Sequence, residues 1–125
     1  MSAVNERQEQ QQVTLPARAQ FAERLPAAAA RRILKMAPDE RPAALQAMPD
    51  GESLATFLEL RPDAQASVLE HMDIGRASRL ANRLPFNTLA RVLDNMDAHR
   101  RADIVRNLRP LKRGRVETVL AGRLQ

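Results

Sequence analysis

Arg76, Arg79 and Arg83 stand three and four residues apart, a spacing that gathers them into one ridge if the segment is helical. A guanidinium is permanently charged and presents a rigid fork of donors, so such a ridge suits carboxylate or phosphate groups. The spacing predicts that the ridge lies opposite Leu80 and Leu84. Arg100 and Arg101 add charge further along, with Arg106, Lys112, Arg113 and Arg115 beyond them. Arg76, Arg79, Arg83, Arg100 and Arg101 are therefore the residues expected to bind a partner, and the partner expected is an acidic protein. Nucleic acid fits less well, because its readers interleave aromatic rings with the charges and Phe86 is the only aromatic residue beyond position 73. A ridge that is simply solvated is the plainer reading of the same pattern.

Other chemistry has less to build on. The acidic residues Asp39, Glu40, Asp50, Glu52, Asp63 and Asp73 could hold a hydrated magnesium ion, which asks for only one or two carboxylates. Helices that reverse direction would place Asp39, Glu40 and Asp63 at one end and Asp50, Glu52 and Asp73 at the other. Helix capping already accounts for these positions. The isolated chain is thus expected to bind magnesium weakly, in the millimolar range or worse, an affinity of about −4 kcal/mol. Ser53, Ser67 and Ser78 have no histidine at a telling spacing, and His71 and His99 lie beside turns, where a solvated ring is expected rather than a general base. The four glycines are scattered and form no phosphate loop, and there is no cysteine to supply a thiolate. No catalytic residue, metal ligand or cofactor is assigned, and an enzyme is not expected.

The charge is unevenly spread. Of 20 basic residues all but Lys35 and Lys112 are arginine, and the net charge is +5. Residues 1–73 carry 8 basic and 11 acidic side chains, whereas residues 74–125 carry 12 and 4. An acidic middle thus faces a basic C-terminal half, an asymmetry that can steer an acidic partner. With 125 residues, 44% of them apolar and 28% charged, the chain suits one folded, soluble domain. The first dozen residues are polar and no apolar run nears the roughly 20 needed to span a bilayer, so a cytoplasmic location without membrane insertion is expected.

The elements that must position the ridge are set by a period. Met36, Met48, Leu60, Met72, Leu84, Met96, Leu108 and Leu120 follow one another at intervals of twelve. Turn formers come just after most of them, as in Pro49-Asp50-Gly51, Pro62-Asp63 and Pro85-Phe86-Asn87. Three places before each of the first seven lies Ile33, Leu45, Phe57, Leu69, Ala81, Leu93 or Val105, and one place earlier again stand Val68, Leu80, Val92, Ile104 and, in the last unit, Val116. Spacings of three, four and seven put these on one helical stripe. The pattern predicts helices of about eight or nine residues joined by turns of three or four. Asp39, Asp50, Asp73, Asn87 and Asp97 are expected as N-caps, with Pro62 and Pro110 in first helical turns. Helices this short are not stable alone, so they must stack as antiparallel hairpins wound into a superhelix. The methionines belong to the core stripe. Gly114 and Glu117 weaken the last unit, as expected of a terminal repeat that meets water. Residues 1–14 read as a disordered polar tail and residues 15–125 as the domain.

The tandem units Arg24-Leu25-Pro26, Ala47-Met48-Pro49-Asp50 and Arg83-Leu84-Pro85, with leucine-rich stretches such as Leu89-Ala90-Arg91-Val92-Leu93 between them, resemble the intracellular N-terminal domain of the MgtE family of magnesium transporters. The resemblance runs from about Leu15 to Leu120. It implies an all-α, right-handed superhelix of short antiparallel hairpins, similar also to the helical repeats of flagellar rotor switch proteins. It further implies a cytoplasmic regulatory role, with a magnesium transporter or its regulatory module as the partner. Family transporters continue into paired nucleotide-binding-type modules and transmembrane helices. This sequence shows neither, so a stand-alone scaffold is expected rather than transport. A basic nucleic-acid-binding protein and a rotor-like assembly scaffold are the alternatives.

Overall fold

Proline sets many of the helix starts. In the computed structural model of the chain, residues 25–123 are described. Among these residues the structure is all-α, without strands: α1 is Pro26–Leu34, a 3₁₀ turn is Pro38–Glu40, α2 is Arg41–Gln46, α3 is Asp50–Leu58 and α4 is Pro62–His71. The remainder is α5 (Ile74–Arg83), α6 (Phe86–Asp94), α7 (Ala98–Arg106) and α8 (Pro110–Arg123). The starts at Pro26, Pro38, Asp50, Pro62, Ile74, Phe86, Ala98 and Pro110 follow one another at twelve-residue steps. The expected tail over 1–14 lies outside the described residues.

Pro26, Pro38 and Pro62 occupy first turns, where a missing amide costs nothing and the ring presets φ. Pro49 and Pro85 serve as N-caps in extended conformation. This displaces three of the expected caps. Asp39, Asp50 and Asn87 stand inside the first turn, behind Ala37, Pro49 and Pro85, where Asp39 and Asp50 still meet the positive end of the helix dipole. Asp73 and Asp97 do cap: Asp73 accepts from the Arg76 amide at 3.2 Å, and Asp97 from the amides of His99 and Arg100 at 3.1 and 3.2 Å. The unit beginning at Pro38 splits into a 3₁₀ turn and a six-residue helix. Pro42 lacks the amide that would reach the Pro38 carbonyl, so the first turn tightens instead.

In six units the leucine or methionine that ends the unit also closes its helix. The amides of Met36, Met48, Leu60, Leu84, Met96 and Leu108 donate to the carbonyl three residues back, at 3.0 to 3.2 Å. Their side chains then turn inward: Leu60, Met72, Leu84, Met96 and Leu108 are buried, and Met36, Met48 and Leu120 are partly buried against the same core. Phe57, Leu69, Val68, Val92, Leu93 and Ile104 fill its centre, with Ala66, Ala77 and Ala81 allowing close helix approach. Ala102, Gly114 and Glu117 are exposed on the closing helices.

Alternate helices pack against each other as well as neighbours. The alternate pairs are α1 with α3, α2 with α4, α4 with α6, α5 with α7 and α6 with α8; the neighbours are α1 with α2, α2 with α3, α4 with α5 and α7 with α8. The alternate pair α3 and α5 is not among the closely packed ones.

Candidate functional site

Each helix end leaves carbonyls without an intrahelical donor, and long side chains from later helices supply the donors. Arg41 Nη2 reaches Leu34 O at 3.2 Å, Gln65 Nε2 reaches Phe57 O at 2.9 Å, and Arg101 Nη1 reaches Leu93 O at 3.3 Å. A longer reach joins helices three apart. Arg100 donates through Nε to Leu69 O at 3.1 Å and through Nη2 to Met72 O, while the Asp97 amide donates to Glu70 Oε2 at 3.4 Å. Twelve residues on the arrangement recurs. Lys112 Nζ donates to the carbonyls of Asn82 at 2.7 Å and Leu84 at 2.6 Å, and the Arg109 amide donates to Asn82 Oδ1 at 2.9 Å. The start of α7 is thereby clamped to the end of α4, and the start of α8 to the end of α5. Burial pushes the Lys112 ammonium below the usual lysine value, and the positive charge of Arg109 lowers it further.

Arg76 holds in α5 the place that Arg100 holds in α7 and Lys112 in α8. Gln46 likewise corresponds to Glu70 and Asn82. Here the clamp stands differently: the Arg76 guanidinium donates to the Gln46 side-chain oxygen. Around it opens a groove of about 520 Å³. Its floor is apolar, made by Leu45, Met48, Met72 and Leu80. Arg76, Arg79 and Arg83 line it from α5, and Asp50 and Ser53 from α3. Where the stripe places Val68, Val92, Ile104 and Val116 at 0% exposure, Leu80 is only half-buried. Leu80 instead lines the groove.

The three ridge arginines are thus brought together, all exposed, and Arg79 and Arg83 have no hydrogen bond or ion pair among the described residues. Leu80 is not opposite them. It stands four residues after Arg76 and three before Arg83, which places it on their flank at the groove floor, while Leu84 alone is turned into the core. Arg100 and Arg101 are not brought to this groove. Both are half-buried and hold carbonyls at the ends of α4 and α6. Sequence reasoning did not find Gln46, Met48 and Asp50 as groove residues. Aligning the twelve-residue units would have paired Gln46 with Glu70 and Asn82.

Elsewhere the surface holds little chemistry. His71 Nδ1 donates to the Ser67 carbonyl at 2.8 Å within its own helix, and His99 is exposed. Ser78 is buried with no hydrogen-bond partner for its hydroxyl among the described residues, beside a hollow of about 250 Å³ that Asn82 and Asn107 also line. Among the described residues no group of three or more histidine or carboxylate side chains could hold a metal ion, and no helix is long and apolar enough to cross a membrane. Phe86 is covered by Arg115, whose guanidinium carbon lies 4.2 Å from the ring centroid.

The family model described as the MgtE intracellular N domain matches residues 24–121, and the chain belongs to that family. No curated protein and no solved structure matches it.

Proposed function

We propose that this member of the family is a non-catalytic regulatory module of the magnesium-transporter kind, working in the cytoplasm by binding an acidic protein through the ridge of Arg76, Arg79 and Arg83. The partner on this reading is a magnesium transporter or its regulatory module. The observation that carries the proposal is the pair of exposed cations, Arg79 and Arg83, that have no hydrogen bond or ion pair among the described residues and edge a groove with an apolar floor. Charges placed so steer encounter and discriminate among partners more than they add raw affinity. Alternate-helix packing is read here as one stretch of a right-handed superhelix of hairpins, a scaffold that stiffens the ridge.

Magnesium enters through the partner on this reading. The chain alone binds the ion weakly, in the millimolar range or worse, because one or two carboxylates beside a basic half make a poor site. Calorimetry on the full chain with a family transporter's cytoplasmic regulatory module, at low and high magnesium, tests the proposal. A complex that weakens with salt and with the Arg79→Glu/Arg83→Glu pair is expected. Tighter binding to duplex DNA than to the acidic module would overturn it. A saturable micromolar magnesium site on the chain alone would overturn the weak-binding statement.

A further inference from the structure

We infer that the groove beside α5 receives an acidic amphipathic helix from the partner protein, its carboxylates on Arg79 and Arg83 and its apolar stripe on Met48 and Leu80. This rests on the reading that the partner is an acidic protein, and it specifies the form in which that protein is bound.

The first support is packing. The stack repeatedly covers one helix with the helix two places on, and the α3–α5 step is left without that close packing. Leu80 is half-buried there, whereas Val68, Val92, Ile104 and Val116 at the same place in their units are wholly buried. A volume of about 520 Å³ lies there, in the range of a real binding cleft. An apolar floor under charged edges is the usual setting for an amphipathic helix lying in a groove.

The second support is charge and its spacing. Arg79 and Arg83 have no partners among the described residues, and Arg76 holds only a neutral amide. From Arg76 to Arg83 is seven residues, about 10 Å along the helix axis. A single phosphate cannot touch both ends of such a ridge, whereas a helix lying antiparallel to α5, with carboxylates at i, i+4 and i+7, mirrors its spacing. A nucleic-acid strand fits poorly for a further reason: Phe86, the one aromatic residue beyond position 73, is already covered by Arg115.

The probe is a fluorescein-labelled peptide of about 18 residues, five helical turns, with glutamates at i, i+4 and i+7 beside a leucine stripe. A scrambled peptide of the same composition is its control. Both are titrated by fluorescence anisotropy into the full chain, into Arg79→Glu/Arg83→Glu, and into Arg91→Glu/Arg109→Glu, which makes the same charge change elsewhere. Circular dichroism verifies that each variant is folded. The ordered peptide should bind the wild type and the Arg91/Arg109 pair alike, and bind the Arg79/Arg83 pair at least about tenfold more weakly, a difference of about 1.4 kcal/mol. The scrambled peptide should bind worse than the ordered one. Equal binding of the two peptides, or an unchanged Arg79/Arg83 pair, overturns the helix-in-groove inference. Loss confined to the Arg91/Arg109 pair also overturns it, while the acidic-partner reading survives at another surface. Duplex DNA that displaces the peptide at moderate salt and binds more tightly overturns both.

Discussion

Replacing Arg100 by methionine should destabilise the fold, whereas the same change at Arg83 should not. The two arginines look alike in sequence, yet Arg100 is half-buried and donates to the carbonyls of Leu69 and Met72, while Arg83 is exposed and has no partner among the described residues. A hydrogen bond from a charged donor contributes about 1.5–3 kcal/mol net when buried. Half-exposure lets water replace part of that, so two such bonds together are taken as about 2 kcal/mol. Methionine keeps most of the stem's packing and removes the donors. On a domain of this size about 2 kcal/mol corresponds to a fall in Tm of roughly 10 °C. Arg83→Met should stay within about 0.5 kcal/mol of the wild type. Urea unfolding followed by circular dichroism gives both values. Equal stabilities for Arg100→Met and the wild type would refute the clamp, and a costly Arg83→Met would show that the ridge belongs to the fold.

Lys112 gives the second clamp a pH signature: burial lowers its folded-state value, so just below the usual lysine pKa the unfolded chain holds more protons than the folded one, and stability should rise with pH across that window. Lys112→Met should flatten this rise in urea midpoints measured at alkaline pH, and an unchanged slope would count against it. Gly114→Ala should stabilise α8 by about 0.5–1 kcal/mol in thermal melts, because a methyl there meets no atom within 4 Å in a helix interior. Ser78→Ala should be neutral or stabilise by up to about 1 kcal/mol, since the buried hydroxyl has no partner among the described residues. A clear loss of stability on that change would instead mean that the hollow beside it holds a water the hydroxyl needs.

Much of the fold was legible because a single requirement recurs. A short helix must be closed and also anchored, and in six of the units one leucine or methionine does both through its amide and its side chain, whereas Met72 and Leu120 of the same twelve-residue series serve as anchors. The helix starts were less legible. Asp50 and Asn87 have the chemistry of caps, but Pro49, one residue before Asp50, and Pro85, two before Asn87, take the cap positions and shift them inward. The sequence pattern also says nothing of which helix covers which. Leu80 reads like Val68 or Val92, and only the missing α3–α5 packing leaves it at a groove.

The arginines carry the same lesson further. Arg76 and Arg100 hold the same place in units 24 residues apart, with lysine at 112, and composition treats all three as surface charge. Their roles diverge through what each meets. Arg100 and Lys112 find the carbonyls of a helix end with a side-chain acceptor beside them, and so are spent on the scaffold. Arg76 is held by one neutral amide at the mouth of a groove with an apolar floor, next to two arginines without a hydrogen bond or ion pair among the described residues. A carboxylate arriving there would displace only water and a side-chain contact. The same carboxylate at Arg100 would have to compete with two backbone carbonyls and would leave them without donors. The basic half of this chain therefore holds arginines of two kinds: some that tie helices α4 to α8 together, and some, on α5, that the proposed reading assigns to an acidic partner.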